Sequence, residues 1–132
     1  MIKKLFIPAF ILFVFSCKKN DDAGGTGAIV QGDAVVYGQV MHHFYSIPNC
    51  KVWIKSGATT FPGQDSTLYD SYQITDASGF VRFDKLANGS YYFYANGFDE
   101  AIWMPVWGYV PFSIVNKPGE VKEYDVTIPV SE

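Results

Sequence analysis

Thr75-Asp76-Ala77-Ser78-Gly79-Phe80-Val81-Arg82-Phe83-Asp84-Lys85-Leu86-Ala87-Asn88-Gly89-Ser90-Tyr91 reads as turn, strand, turn, strand in seventeen residues. Asp76 can accept hydrogen bonds from the amides of its own turn, and Gly79 supplies a backbone with positive φ. Val81 and Phe83 alternate with Arg82 and Asp84, which gives a strand one apolar face. Asn88-Gly89 makes the next tight turn, and Ser90-Tyr91-Tyr92-Phe93-Tyr94-Ala95 begins a second strand dense in aromatic residues.

Working outward, the same chemistry repeats. Strands are expected over 35–40, 50–55, 68–75, 80–83, 90–95, within 106–115 and over 121–130, separated by Ile47-Pro48-Asn49, the two turns above and Asn116-Lys117-Pro118-Gly119. No window of helical length carries a 3.6-residue period free of Gly and Pro. Seven strands in about 100 residues imply an all-β, seven-stranded antiparallel β-sandwich. Alternation assigns Val36, Gly38, Val40, Cys50, Val52, Ile54, Val81, Phe83, Tyr91, Phe93, Ala95, Tyr124, Val126, Ile128 and Val130 to the core. Glu123, Asp125 and Thr127 turn outward, the pattern of a sheet with one wet face, and Pro129 belongs at an edge or strand end.

The quoted stretch resembles the carboxypeptidase regulatory-like domain, a transthyretin-like (prealbumin-like) sandwich with the pattern T-D-x-x-G-x-aromatic/aliphatic-x-F-x-x-L-x-x-G-x-Y. Phe83, Leu86, Gly89 and Tyr91 occupy its fixed positions, and Val81 stands where an aromatic is commoner. Val36 to Val40 and Ile47 to Val52 fit the opening strands, with Asn49-Cys50 in place of Gly-Ala. The resemblance extends over nearly all of residues 35–130. It implies a fold and an accessory, non-catalytic role, because function lives in sites grafted on folds.

The amino end carries an address. Lys3 and Lys4 precede an apolar run, Leu5 to Phe15, of about 11 residues, roughly half of the ~20 needed to span a bilayer as a helix. Val14-Phe15-Ser16-Cys17 is similar to the lipobox of bacterial lipoproteins, which implies cleavage after Ser16 and lipid attachment at Cys17; an ordinary secretory signal with a free Cys17 is the alternative. Lys18-Lys19-Asn20-Asp21-Asp22 is similar to the charged tether of surface-exported Gram-negative lipoproteins, or merely keeps a linker solvated. The expected organisation is a signal over 1–16, a lipidated, Gly-rich flexible tether over 17–33 and the sandwich over 34–132. Localisation would be the cell outer membrane, lipid-anchored, facing the surface or the periplasm.

Charge and chemistry exclude several classes. The chain has 10 basic and 13 acidic residues, a formal charge of −3, and loss of the signal removes Lys3 and Lys4. That balance argues against nucleic acid. With Cys17 lipidated, Cys50 has no disulfide partner and, pointing inward, is an inert thiol. His42 and His43 are adjacent, so in a strand they face opposite ways and cannot share a metal without a bulge; they read as a polar loop ahead of Pro48. Asp76 and Asp84 lack the dense oxygen cluster that calcium needs. No G-x-S-x-G frames a serine, no Tyr-Arg-Gly-Ser end marks the purine-product hydrolases of the transthyretin-like group, and no inward lysine on the first strand permits an isopeptide bond. Neither an enzyme nor a cofactor is indicated.

Aromatic content, at 17%, exceeds what the core requires. Tyr37, Trp53, Tyr92 and Tyr94 fall on outward phases, with Phe80 beside them, and Trp103, Trp107 and Tyr109 share a parity if 97–112 is extended. Exposed rings with polar neighbours suit a glycan or a protein partner. Two arrangements remain open: segment 97–112 folds back over these rings as a small second core, or it presents them. The expected function is a binding or scaffolding module, an accessory of outer-membrane uptake or adhesion; the alternative is a carbohydrate-binding module or an accessory of a carbohydrate-active enzyme that uses the exposed Trp and Tyr residues.

Overall fold

The computed structural model describes residues 31–132, which form two four-stranded sheets packed face to face. Cys17, the signal over 1–16 and the tether as far as residue 30 lie outside the described residues. In chain order the strands are β1 (Gln31–His42), β2 (Tyr45–Ser46), β3 (Lys51–Ser56), β4 (Ser71–Ile74), β5 (Phe80–Leu86), β6 (Gly89–Asp99), β7 (Met104–Ile114) and β8 (Lys122–Pro129). In the first sheet β1 lies between β5 and β8, with the short β2 completing a hairpin against its end. The second sheet runs β4-β3-β6-β7.

All seven expected strands are present, and the added element is the two-residue β2. The β1–β8 pair is parallel, from Ala34↔Lys122 to Met41↔Pro129, whereas the other strand pairs are antiparallel. β1 also begins at Gln31, inside the stretch expected to be tether, and its register against β5 shifts between Gln31 and Val36. β4 is shorter than expected. Asp65 accepts from Thr67 N (3.0 Å) and Thr67 Oγ1 (2.7 Å), capping a single 3₁₀ turn over Ser66–Leu68 that delays the strand to Ser71.

The core is the one that alternation assigns. Val36, Val40, Cys50, Val52, Ile54, Val81, Phe83, Tyr91, Phe93, Ala95, Val126, Ile128 and Val130 are all buried, joined by Ile47, Leu86, Val106 and Ile114; Tyr124 packs on them half-buried. The quoted turn behaves as its chemistry dictates. Asp76 Oδ1 accepts from Ser78 N (2.9 Å) and Phe80 N (3.0 Å), and Gly79 has φ +77°. Tyr91 is buried and its hydroxyl donates to Ala87 O at 2.6 Å, bracing the β5–β6 turn. Asn49 holds φ +56°. Asn tolerates that left-handed conformation better than most residues.

Pro129 ends β8, a strand paired on one side only. Beyond it the tail crosses to the other sheet, where Trp107 N donates to Ser131 O (2.9 Å) and Ser131 N to Trp107 O (3.0 Å). Among the described residues no helix is long and apolar enough to cross a membrane.

Candidate functional site

The outer face of the second sheet carries the surplus aromatics. Period-two alternation places Lys51 and Trp53 of β3, Tyr92, Tyr94 and Asn96 of β6, and Trp107 and Tyr109 of β7 side by side, with pairs Trp53↔Tyr94, Tyr94↔Tyr109 and Asn96↔Trp107 in register. This face is partly roofed. The β3–β4 connection lays Phe61 flat on Tyr109, with ring centroids 3.8 Å apart and 8° between planes, and stacks Tyr69 on Tyr94 at 5.6 Å. Tyr94, expected outward, is therefore only 3% exposed, and burial raises its hydroxyl pKa. A second small core does exist on this face, but its cover is the 57–70 connection and not segment 97–112.

Asp70 fastens that cover. Its buried carboxylate accepts from Ser56 N (2.7 Å), Ser56 Oγ (2.8 Å) and Lys55 Nζ (3.0 Å). Burial alone would raise its pKa, but these donors outweigh burial and hold it below the ordinary carboxylate value.

The cover reaches β7 at Tyr109, whose ring Phe61 overlies. Trp107 is 38% and Tyr109 42% exposed, with near-parallel rings (22°) centred 6.4 Å apart. Beside Trp107 runs a groove of about 470 Å³ bounded also by Tyr94, Asn96, Lys51, Asn49 and Gln64, among others. Trp53 is half-buried against Tyr72 (4.6 Å), and its indole N–H donates to Asn96 Oδ1 at 3.4 Å. Lys51 Nζ stands 5.2 Å from the Tyr72 ring centre. Tyr92 is half-buried, 6.3 Å from both Phe61 and Tyr109. Trp103 does not join this strip. It lies in the β6–β7 turn with φ +58°, 76% exposed, its ring edge-on to Phe98 at 5.1 Å.

Lys51 and Asn96 were legible as groove residues, since they continue the outward phase of Trp53 and of Tyr92 and Tyr94. Asn49 and Gln64 of the groove and Phe61 of the cover were not, because they come from aperiodic loops.

A polar cluster occupies one end of the sandwich. His42 closes β1 and is 1% exposed, as is Asp99 at the end of β6. His42 Nδ1 is 2.7 Å from Asp99 Oδ2, and His42 Nε2 is 2.9 Å from Glu132 Oε2. Tyr45 OH donates to Asp99 Oδ2 (2.7 Å) and Ala101 N to Asp99 Oδ1 (2.8 Å). The hydrogen bond to Asp99, opposed by burial and assisted by Glu132, raises the His42 pKa. Contrary to the strand argument, the two histidines do not diverge. His43 has φ +52°, so it leaves the strand and its ring lies 4.3 Å from that of His42. Cys50 is fully buried and its thiol is pushed up to about 11, by burial first and by the Asp99 charge second.

No protein-family model matches this sequence, and no curated protein matches it. Among solved structures, one from Pseudomonas aeruginosa, described as a "putative carbohydrate binding protein", superposes with a TM-score of 0.43 at 15% identity, over 74% of this chain and 90% of the other.

Proposed function

We propose that this chain is a non-catalytic, lipid-anchored module of the cell envelope, of the carboxypeptidase regulatory-like kind, and that it binds glycan through the Trp107–Tyr109 strip. One observation carries the binding reading. The exposed Trp107 ring, with Tyr109 next to it on β7, borders a groove edged by two asparagines, a glutamine and a lysine. A pyranose offers a C–H face that packs on a flat ring and hydroxyls around its rim that need donors and acceptors, so rings beside amides and an ammonium complement it. The lipobox-like Val14 to Cys17 and the charged tether support display at the outer membrane, where such a module would serve uptake or adhesion.

The test is calorimetric titration of the full chain with soluble oligosaccharides chosen from a glycan array. Trp107→Ala is expected to weaken binding at least about tenfold, the loss of one stacking contact plus its burial, while the melting temperature stays within about 3 °C. Wild-type protein that binds no glycan, or a variant that binds as well, would refute it. For the anchor, mass spectrometry of the membrane-extracted chain should find an acylated amino-terminal Cys17; an unmodified thiol would remove the anchoring claim.

A second reading rests on the β6–β7 tip, where Trp103, Phe98, Ile102 and Met104 are all exposed. A protein partner seated there would be lost with Trp103→Ala and kept with Trp107→Ala.

A further inference from the structure

We infer that His42, His43 and Glu132 form a three-ligand site for a borderline divalent cation, zinc foremost, with Asp99 as the carboxylate that orients His42. Among the described residues these three bring one ligand atom each to within 4.8 Å of one another. They come from the end of β1, the turn after it and the tail beyond β8, so folding alone assembles them.

Three features of the geometry point to a cation. The buried Asp99 carboxylate holds Nδ1 of His42 at 2.7 Å, which fixes the ring and aims Nε2 at Glu132. A carboxylate behind a histidine is the arrangement that orients metal-bound imidazoles and raises their basicity. The imidazole also lies between two carboxylates, Asp99 at Nδ1 and Glu132 at Nε2, so a cation at Nε2 meets negative charge on both sides of the ring. A divalent cation there would offset the charge of both carboxylates. Finally, the distances are within reach. Zinc ligands at ~2.0–2.2 Å in a tetrahedron lie roughly 3.4 Å from each other. The 2.9 Å gap between His42 and Glu132 has to open slightly, and His43 has to close in. Both His43 and Glu132 are exposed, so their side chains can rotate at little cost.

The donor set selects the metal class. Two imidazoles and one carboxylate suit zinc and its transition-metal neighbours, and are too few and too nitrogen-rich for calcium or magnesium. Three protein ligands leave at least one position for water or for a donor from a partner. Because Glu132 follows the Ser131 bridge to β7 while the histidines belong to the other sheet, the bound ion would clamp the two layers together. This site is separate from the aromatic strip and stands or falls independently of glycan binding.

Titration of the full chain with zinc, and with cobalt(II) as an optical probe, tests it. One equivalent should bind, cobalt should show the visible bands of a low-coordinate site, and zinc at a hundredfold excess over its Kd should raise the melting temperature by at least about 5 °C. His43→Ala and Glu132→Gln alter exposed side chains and are expected to keep the fold. Each should weaken zinc at least about tenfold and abolish the cobalt bands. His42→Ala is the poorer variant, since it leaves Asp99 buried without its partner. Wild-type protein that takes up no metal, or affinity unchanged in both variants, would overturn the site.

Discussion

Thr75 carries two buried hydrogen bonds on one oxygen: Oγ1 accepts from Cys50 N at 2.9 Å and donates to Ile47 O at 2.9 Å. It thereby ties the start of β3 to the turn ahead of the motif strand, in a place that water does not reach. Thr75→Val keeps the shape but orphans both backbone groups, each at a cost of about 1–3 kcal/mol. We expect Thr75→Val to lose about 2–4 kcal/mol, seen as a lower urea midpoint with an unchanged m-value. A variant as stable as the wild type would mean that the amide and carbonyl find other partners. At this scale the sequence was most legible where a side chain serves its own turn. Asp76 acts through neighbours two and four residues away, and the positive φ of Gly79 belongs to the same turn, so local chemistry sufficed to assign them. Thr75 acts through Ile47 and Cys50, 28 and 25 residues distant, and nothing local announced that role.

Strands were legible wherever one face meets the core, because burial enforces the period-two pattern. Where the outer face is also covered, alternation misleads: Tyr94 sits on the outward phase and is nevertheless buried, because Phe61 and Tyr69 arrive from a loop without a period. Trp103 and His43 escaped for another reason. Parity arguments assume an extended backbone, and both residues have positive φ. The aromatic cover itself depends on Asp70, and this dependence should titrate. Asp70 ionises below its ordinary pKa in the folded state, so the stability it adds is fully present above the unfolded value near 3.9 and is lost as pH falls through the lower folded value. The wild type should therefore lose stability on acidification below about pH 4 more steeply than Asp70→Asn, which has no carboxylate to protonate. Urea midpoints measured from pH 7 to pH 2 check this, and parallel acid limbs for the two proteins would show that Asp70 does not hold the cover.

On the scale of the whole molecule, the sandwich is closed by backbone against backbone. The parallel β1–β8 pair keeps β8 in the first sheet, and the tail beyond Pro129 then meets β7 of the second through the Trp107–Ser131 bridge. That crossing requires glycine at 108, for a Cβ there would lie 1.8 Å from Pro129 O and 2.9 Å from Pro129 C. The obstacle is main chain, not the end of a flexible side chain, so it cannot step aside without separating the layers. Period and turn chemistry gave no hint of this, because a glycine demanded by a distant strand looks the same in the sequence as one that merely interrupts β7. Gly108→Ala should push β7 off the tail, disturb the buried Val130 and Val106 beside it, and cost upward of about 3 kcal/mol, in the range of overpacked cores and broken ladders. Ser113→Ala, on an exposed position of the same strand, should change stability by no more than about 0.5 kcal/mol. Thermal melts of the two variants beside the wild type decide the matter. If Gly108→Ala melts with Ser113→Ala, the tail is not what closes the sandwich; if it melts far below, the same closure also sets where Trp107 stands at the groove and where Glu132 stands beside the histidines.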